Sequence, residues 1–199
     1  NGLRIGELSA LTVEKVHFSA KKLLIDEGVV AAGRTIDQYI RNPPKTISSI
    51  REIDLDDRSL AIIRNRIQIK EARQKEMKQR EKGTFIKTYQ RKNQIAYQKK
   101  VKAAENFLFS TTIFQTQNGT PVVYHSFNEF MNGRGNNKKP VKCVKDILRE
   151  KYPEFNKHVT THTFRYTHIS LLAEANVPIK AIMDRVGHAN MKTTLEIYN

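Results

Sequence analysis

The chain has no tryptophan, a single cysteine and no apolar run approaching the length of a membrane span. The last absence excludes a helical membrane protein. With Cys143 alone, neither an intramolecular disulfide nor a cysteine-rich zinc site can form. Aromatic residues make up 8% of the sequence, too few for a sheet-rich scaffold packed around rings. The first residues lack the charged and apolar regions of a signal peptide, so none is expected. Together these absences suit a reducing, cytoplasmic setting. Acidic residues are scarce as well: 20 Asp and Glu stand against 35 Lys and Arg, a formal net charge of +15. That balance says nothing about fold but points to a polyanionic partner. What remains is 199 residues, 39% hydrophobic and 28% charged, a globular composition sized for one domain or two small ones.

Hydrophobic spacing predicts an α+β chain dominated by helix, with a small antiparallel sheet. Residues 1–16 read as a helix, with Leu3, Leu8, Leu11 and Val16 near helical spacing and Glu7 and Glu14 on its polar side. Short β segments follow through residue 58: Val16 to Phe18, Leu23 to Ile25, Val29 to Ala32, Tyr39-Ile40 and Ile53 to Leu55, with Pro43-Pro44 as a turn. Asp56-Asp57 can cap a helix that carries Leu60, Ile63 and Ile67 at i, i+3 and i+7. Phe107 to Ile113 reads as strand, and Asn118 to Pro121 as a turn. Helices are expected from Ser126 to Met131, Val141 to Lys151, His162 to Glu174 with Thr161 as cap, Ile179 to Val186, and Asn190 to Tyr198.

Residues 64–102 stand apart. They hold 14 Lys or Arg against 3 acidic residues and few apolar ones, and Gly83-Thr84 is expected to interrupt two helical stretches. The bland reading is a solvated helical hairpin or a mobile loop. The sharper one is a phosphate-contacting element, with Arg66, Lys70, Arg73, Lys75 and Lys78 as the candidate DNA contacts.

Two further segments concentrate chemistry. His162 and Arg165 lie three apart on an expected helix and can share a face. Gly187-His188, Asn190, Thr193-Thr194 and Tyr198 crowd the C-terminal end. Singly, each is commonplace: a lone His usually serves as a structural hydrogen-bonder, and a lone Tyr belongs to core or surface. Their joint order is not commonplace. The run Gly2-Leu3-Arg4-Ile5-Gly6-Glu7-Leu8 resembles the first arginine box of the tyrosine recombinases, the phage-integrase family. His162-Thr163-Phe164-Arg165 resembles that family's histidine–arginine box. Val186-Gly187-His188 through Ile197-Tyr198 resembles its terminal histidine and tyrosine box, and Pro44-Lys45-Thr46 with Arg51-Glu52-Ile53 resembles its lysine-bearing β-hairpin. The resemblance spans Arg4 to Tyr198 and is nearest to integrases of Gram-positive phages and integrative elements.

The resemblance implies a catalytic domain over residues 1–199, with the basic segment 64–102 inside it. The family's N-terminal DNA-binding domains and first catalytic helix would then lie outside this chain. It also implies transesterification at a DNA phosphodiester without metal or cofactor. Arg4 and Arg165 would clamp the phosphate, since an Arg fork donates two hydrogen bonds and keeps its charge. Tyr198 would be the nucleophile, His162 the base, Lys45 the general acid, and His188 a donor to the scissile phosphate. Expected partners are double-stranded attachment-site DNA, three further copies in a synaptic tetramer (the fragment alone being monomeric), and accessory DNA-bending proteins. The expected location is the bacterial cytoplasm, on the nucleoid.

Three other readings compete. His158 and His162 stand at i, i+4, which can ligate a metal, but no Glu fills the metalloprotease position between them. A non-catalytic DNA-binding module accounts for the charge but leaves Arg4, Arg165, His188 and Tyr198 idle. A type IB topoisomerase shares the tyrosine chemistry, but that class carries Lys where this chain has His162.

Overall fold

The computed structural model describes residues 1–30, 39–44, 46, 49–81, 84–89, 97–102, 107–133 and 143–198. At 80–81, 84–89, 97–102 and 198 it describes the backbone path alone. The described elements are α+β and mostly helical, as expected from the sequence.

Helix α1 spans Ile5–Ala10 and is shorter than the sequence predicts. Leu11 and Thr12 are extended, and Val13–Lys15 forms one 3-10 turn. The β-branched Thr12, Val13 and Val16 resist continuation of the helix. Strands β1 (Val16–His17), β2 (Lys22–Ile25) and β5 (Arg51–Asp54) form an antiparallel sheet in the order β1-β2-β5. Its register pairs Val16 with Leu23, Leu23 with Ile53, and Ile25 with Arg51. Alternation puts Val16, Leu23, Ile25 and Ile53 on the buried face, and Arg51 occupies an inward position beside them. Strands β3 (Gly28–Val30) and β4 (Ile40–Asn42) pair separately, and β3 lies against α1.

The Asp56 carboxylate accepts the Ser59 N–H at 2.6 Å and opens α2, Asp57–Glu81. Leu60 and Ile63 bury into the sheet's core, and Ile67 packs at its margin. The second half of the basic segment corrects the sequence reading: it is a β-hairpin. Strand β6 (Thr84–Tyr89) pairs antiparallel with β7 (Tyr97–Lys102), from Thr84↔Lys102 to Tyr89↔Tyr97. Thr, Phe, Ile and Tyr favour a pleated strand, a preference hidden beneath the lysines.

Residues 107–121 form no strand of their own. They run extended along α2, with one bridge between Gln115 and Pro121 and the expected turn at Gly119. Ile113 N–H donates to Leu11 O at 2.8 Å, and its side chain completes the core.

The remaining helices are α3 (Tyr124–Asn132), α4 (Val144–Lys151), α5 (Thr161–Glu174), α6 (Ile179–Val186) and α7 (Met191–Tyr198). Thr160, one residue before the predicted cap, accepts the Thr163 N–H and starts α5. A second apolar cluster joins α5 to α6 through Ile169, Ala173, Ile182 and Val186, with Ile197 of α7 packed on it. Ile169 and Val186 are fully buried, each contributing about 1.5–3 kcal/mol. The candidate site lies between the two cores. Among the described residues no helix is long and apolar enough to cross a membrane.

Candidate active site

Arg165 sits in the middle of α5 and is 3% exposed. Its Nη1 donates to Gly2 O at 2.6 Å and its Nη2 to Val186 O at 2.5 Å. The N-terminal segment and the end of α6 therefore fix one guanidinium. Burial, then the nearby Arg4 charge, lowers its pKa to about 10, so it stays protonated at neutral pH.

Arg4 is the N-cap of α1. Its side chain is 39% exposed and reaches Gly187 O through Nη2 at 3.3 Å. Its Nη1 donates to Glu7 Oε1 at 2.9 Å, and its backbone N–H to Glu7 Oε2 at 2.8 Å. The same carboxylate receives Arg51: Nη1 donates to Oε1 at 3.2 Å and Nη2 to Oε2 at 3.0 Å. Arg51 Nε donates to Arg185 O at 2.8 Å and Nη1 to Ser49 O at 3.0 Å. Burial opposes ionisation of Glu7, but the hydrogen bonds and charge of Arg51 and Arg4 outweigh it and hold the carboxyl below its ordinary range. Two guanidiniums thus pair with one carboxylate, Arg165 adds a third positive charge near it, and the surplus is what an anion would neutralise.

Two glycines allow this convergence. Gly187 caps α6 in the left-handed conformation (φ +70°), and a Cβ there would fall 2.9 Å from Arg51 Nη1. Gly2 (φ +67°) lies under His168, where a Cβ would fall 2.6 Å from the ring's Cδ2. The sequence reading of His168 as structural fits its place: its Nε2 accepts from Arg185 Nε at 3.2 Å. Burial, with positive neighbours including Arg185 and Arg165, lowers its pKa to about 4.

His188 follows Gly187 in the turn where both N–H groups donate to Met183 O. Its Nδ1 lies 2.9 Å from Thr194 Oγ1. Burial, then the charges of Arg165, Arg4 and Arg51, lowers its pKa to about 4, so it is neutral at pH 7.

The fold therefore brings together Arg4, Arg165 and His188 from three separate boxes. His162 is exposed on the first turn of α5, three residues before Arg165, with its ring centroid 5.9 Å from that of Tyr166. Tyr198 ends α7, ten residues after His188, and its side chain lies outside the described residues. Lys45 also lies outside them. Among the described residues, the strands on either side of it pair elsewhere: β4 with β3, and β5 with β2. Pro43 and Pro44 cannot donate ladder hydrogen bonds, which ends β4 at Asn42.

Sequence reasoning missed Glu7 and Arg51 as site residues. The available signals were an acidic residue three after Arg4 on a helix, and an arginine in register with Ile53 on an inward strand face.

Of the basic candidates on α2, Lys70 Nζ donates to Thr111 O at 2.9 Å and Arg73 Nη1 to Thr116 O at 3.1 Å. Lys78 Nζ lies 5.9 Å from the Phe109 ring centroid, Lys75 is exposed and Arg66 half-buried. Lys70 and Arg73 thus tie the 107–121 segment to α2.

Comparison with known proteins agrees with this architecture. Residues 1–199 match the sequence model of the phage integrase family, so the chain belongs to that family. It is 34% identical over 199 residues to the prophage ps2 probable integrase of Lactococcus lactis, covering all of this chain and 41% of that protein. It is 32% identical over 197 residues to the integrase of Staphylococcus phage L54a, covering 99% of this chain and 44% of that one. The chain therefore spans less than half the length of these curated relatives. The fold is shared with the Tn1549 transposon integrase, solved in complex with transposon right-end DNA. The TM-score is 0.68 at 21% identity, over all of this chain and 50% of that one.

Proposed function

We propose that this chain is the catalytic part of a site-specific DNA recombinase, which cleaves and rejoins DNA through a 3′-phosphotyrosine during integration or excision of a phage or mobile element. The observation that carries the reading is the convergence of Arg4, Arg165 and His188, each held by backbone or buried side-chain contacts, beside the helix that ends in Tyr198.

In this reading the phosphate enters the positive pocket and takes hydrogen bonds from Arg4 and Arg165. The Tyr198 phenol attacks phosphorus. Its ordinary pKa is about 10, so the phenolate needs the stabilisation that two guanidiniums supply. The phenolic proton passes to His162, whose exposed position leaves it free to meet bound DNA. The P–O5′ bond breaks as the P–O(Tyr) bond forms, and Lys45 delivers a proton to the leaving 5′-oxygen. One ester replaces another, so the step needs no energy source. His188, neutral at pH 7, donates a hydrogen bond to a phosphate oxygen.

Double-stranded attachment-site DNA is the proposed substrate, supported by the net charge of +15 and by the DNA complexes of structural neighbours. Four copies would assemble at synapsis, with accessory DNA-bending proteins, in the bacterial cytoplasm on the nucleoid. The test is incubation with a nicked suicide duplex, followed by a denaturing gel. A covalent protein–DNA band is expected; its absence across substrates built from the element's own attachment sites would overturn the reading.

A further inference from the structure

Thr194 is a fully buried side chain, and its hydroxyl oxygen lies 2.9 Å from His188 Nδ1. A threonine hydroxyl inside a helix commonly donates to the carbonyl four residues back. Thr167 of α5 does so, donating to Thr163 O at 2.9 Å. Thr194 in α7 makes no such bond: among the described residues, its hydroxyl meets His188 Nδ1 alone. A buried O–H that donates to nothing is costly, so its proton belongs on the one acceptor present.

We propose that Thr194 is a positioning residue that sets the tautomer of His188. Its hydroxyl donates to Nδ1, so the ring's single proton sits on Nε2. A neutral imidazole has one donor and one acceptor nitrogen, and the partner of one decides the role of the other. With Nδ1 accepting, Nε2 is the donor. The charged groups around the ring are Arg165 from α5, Arg4 and Glu7 from the α1 end, and Arg51 from β5. The surplus of positive charge keeps the ring neutral, so one proton must be enough. In the opposite tautomer, the Nε2 lone pair would face an incoming phosphate oxygen. The mechanistic part of this proposal rests on the reading of His188 as a phosphate donor; the hydrogen bond itself does not.

The test uses this chain with nitrogen-15-labelled histidine, as wild type, Thr194→Ser and Thr194→Val. Ring-nitrogen NMR at neutral pH should show His188 as the Nε2–H tautomer in wild type and the Ser variant, and shifted toward Nδ1–H in the Val variant. On the suicide duplex the Val variant should cleave roughly 10- to 100-fold more slowly, the usual cost of losing a group that orients a functional histidine. Its DNA affinity should be unchanged, and Ser should restore most of the rate. A wild-type His188 carrying its proton on Nδ1 would overturn the proposal even if the Val variant failed to fold. So would a Val variant that keeps both tautomer and rate, or one that changes tautomer without slowing. If wild type forms no adduct, the recombinase reading fails, while the NMR result still decides the role of Thr194.

Discussion

Arg51 and Glu7, 44 positions apart in the chain, share a two-point ion pair at 3.0 and 3.2 Å beneath the exposed guanidinium of Arg4. Arg51 stands on an inward position of β5, and Glu7 one turn into α1. The pair therefore locks the sheet to the helix that presents Arg4. Its other bonds, to Arg185 O and Ser49 O, extend the lock to the end of α6 and to the approach into β5.

Arg51→Met should destabilise the protein by about 3 kcal/mol, the low end of the cost of stripping one partner from a buried pair, because Arg4 still meets Glu7. Adding Glu7→Leu should recover part of that loss, since no buried carboxylate is left behind. Urea unfolding measures both. A single-mutant cost below about 1 kcal/mol would mean that the pair is not a structural lock.

Arg4→Ala and Arg165→Ala should each slow cleavage by roughly 100- to 1,000-fold, the typical loss when one preorganised donor to a developing charge is removed. DNA affinity should change far less. Arg165→Lys should also fail, because one ammonium cannot replace a fork that reaches Gly2 O and Val186 O together. Lys45→Ala should differ in kind: a duplex with sulfur at the bridging 5′ position loses a thiolate that needs no proton, so it should rescue Lys45→Ala and not Arg4→Ala. Single-turnover rates on the two duplexes separate the roles, and equal failure of both variants would remove Lys45 as the acid.

Acid should destabilise the fold through His168 and His188. Their folded pKa values, about 4, lie below the ordinary 6.5. The unfolded chain therefore takes up protons from about pH 6.5 downward, while the folded one refuses them until about 4. Stability is full above 6.5 and falls as pH drops through that window. Both rings are partly solvated, so the loss is smaller than the shifts alone would give. The urea midpoint should be lower at pH 5 than at pH 7, and His168→Gln with His188→Gln should flatten that difference. An undiminished pH 5 loss in the double variant would assign it to other groups.

On α2, the cations should divide by what they already touch. Arg66→Ala, Lys75→Ala and Lys78→Ala combined should flatten the slope of log K against log salt by about two to three units if all three reach phosphate. Arg73→Ala should instead loosen the 107–121 segment, because its guanidinium holds Thr116 O. Affinity measured across a salt series, on specific and random duplexes, checks the first; hydrogen exchange over residues 107–121 checks the second. A slope unchanged in the triple variant would make this face a solvated one.

Much of the site was legible because its parts are short local motifs. Arg4 in its arginine box, Arg165 on α5, and His188 just before α7 each stand in a run of a few residues. Arg51 was not legible as a site residue, because its partners come from α1 and α6 and only the tertiary fold brings them close. The exposure of His162 beside a buried Arg165 is also a tertiary outcome: i, i+3 spacing sets a shared face, not a shared depth. The β6–β7 hairpin was misread because charge density masked the Thr-Phe-Ile and Tyr-Gln-Lys alternation of a strand. Phe107 to Ile113 looked like strand for the opposite reason. Ile113 is a real core contact, but the carbonyls of Thr111 and Ser110 are taken by Lys70 and Gln74 rather than by a neighbouring strand.

The central claim is that Tyr198 attacks the scissile phosphate. The most direct measurement is peptide mapping of the covalent adduct trapped on a nicked suicide duplex, run with wild type and Tyr198→Phe. The account predicts a nucleotide-bearing peptide that contains Tyr198 in wild type, and no adduct in the Phe variant, whose DNA affinity and melting temperature stay close to wild type. An adduct that persists in the Phe variant, or that maps to any other residue, would contradict it.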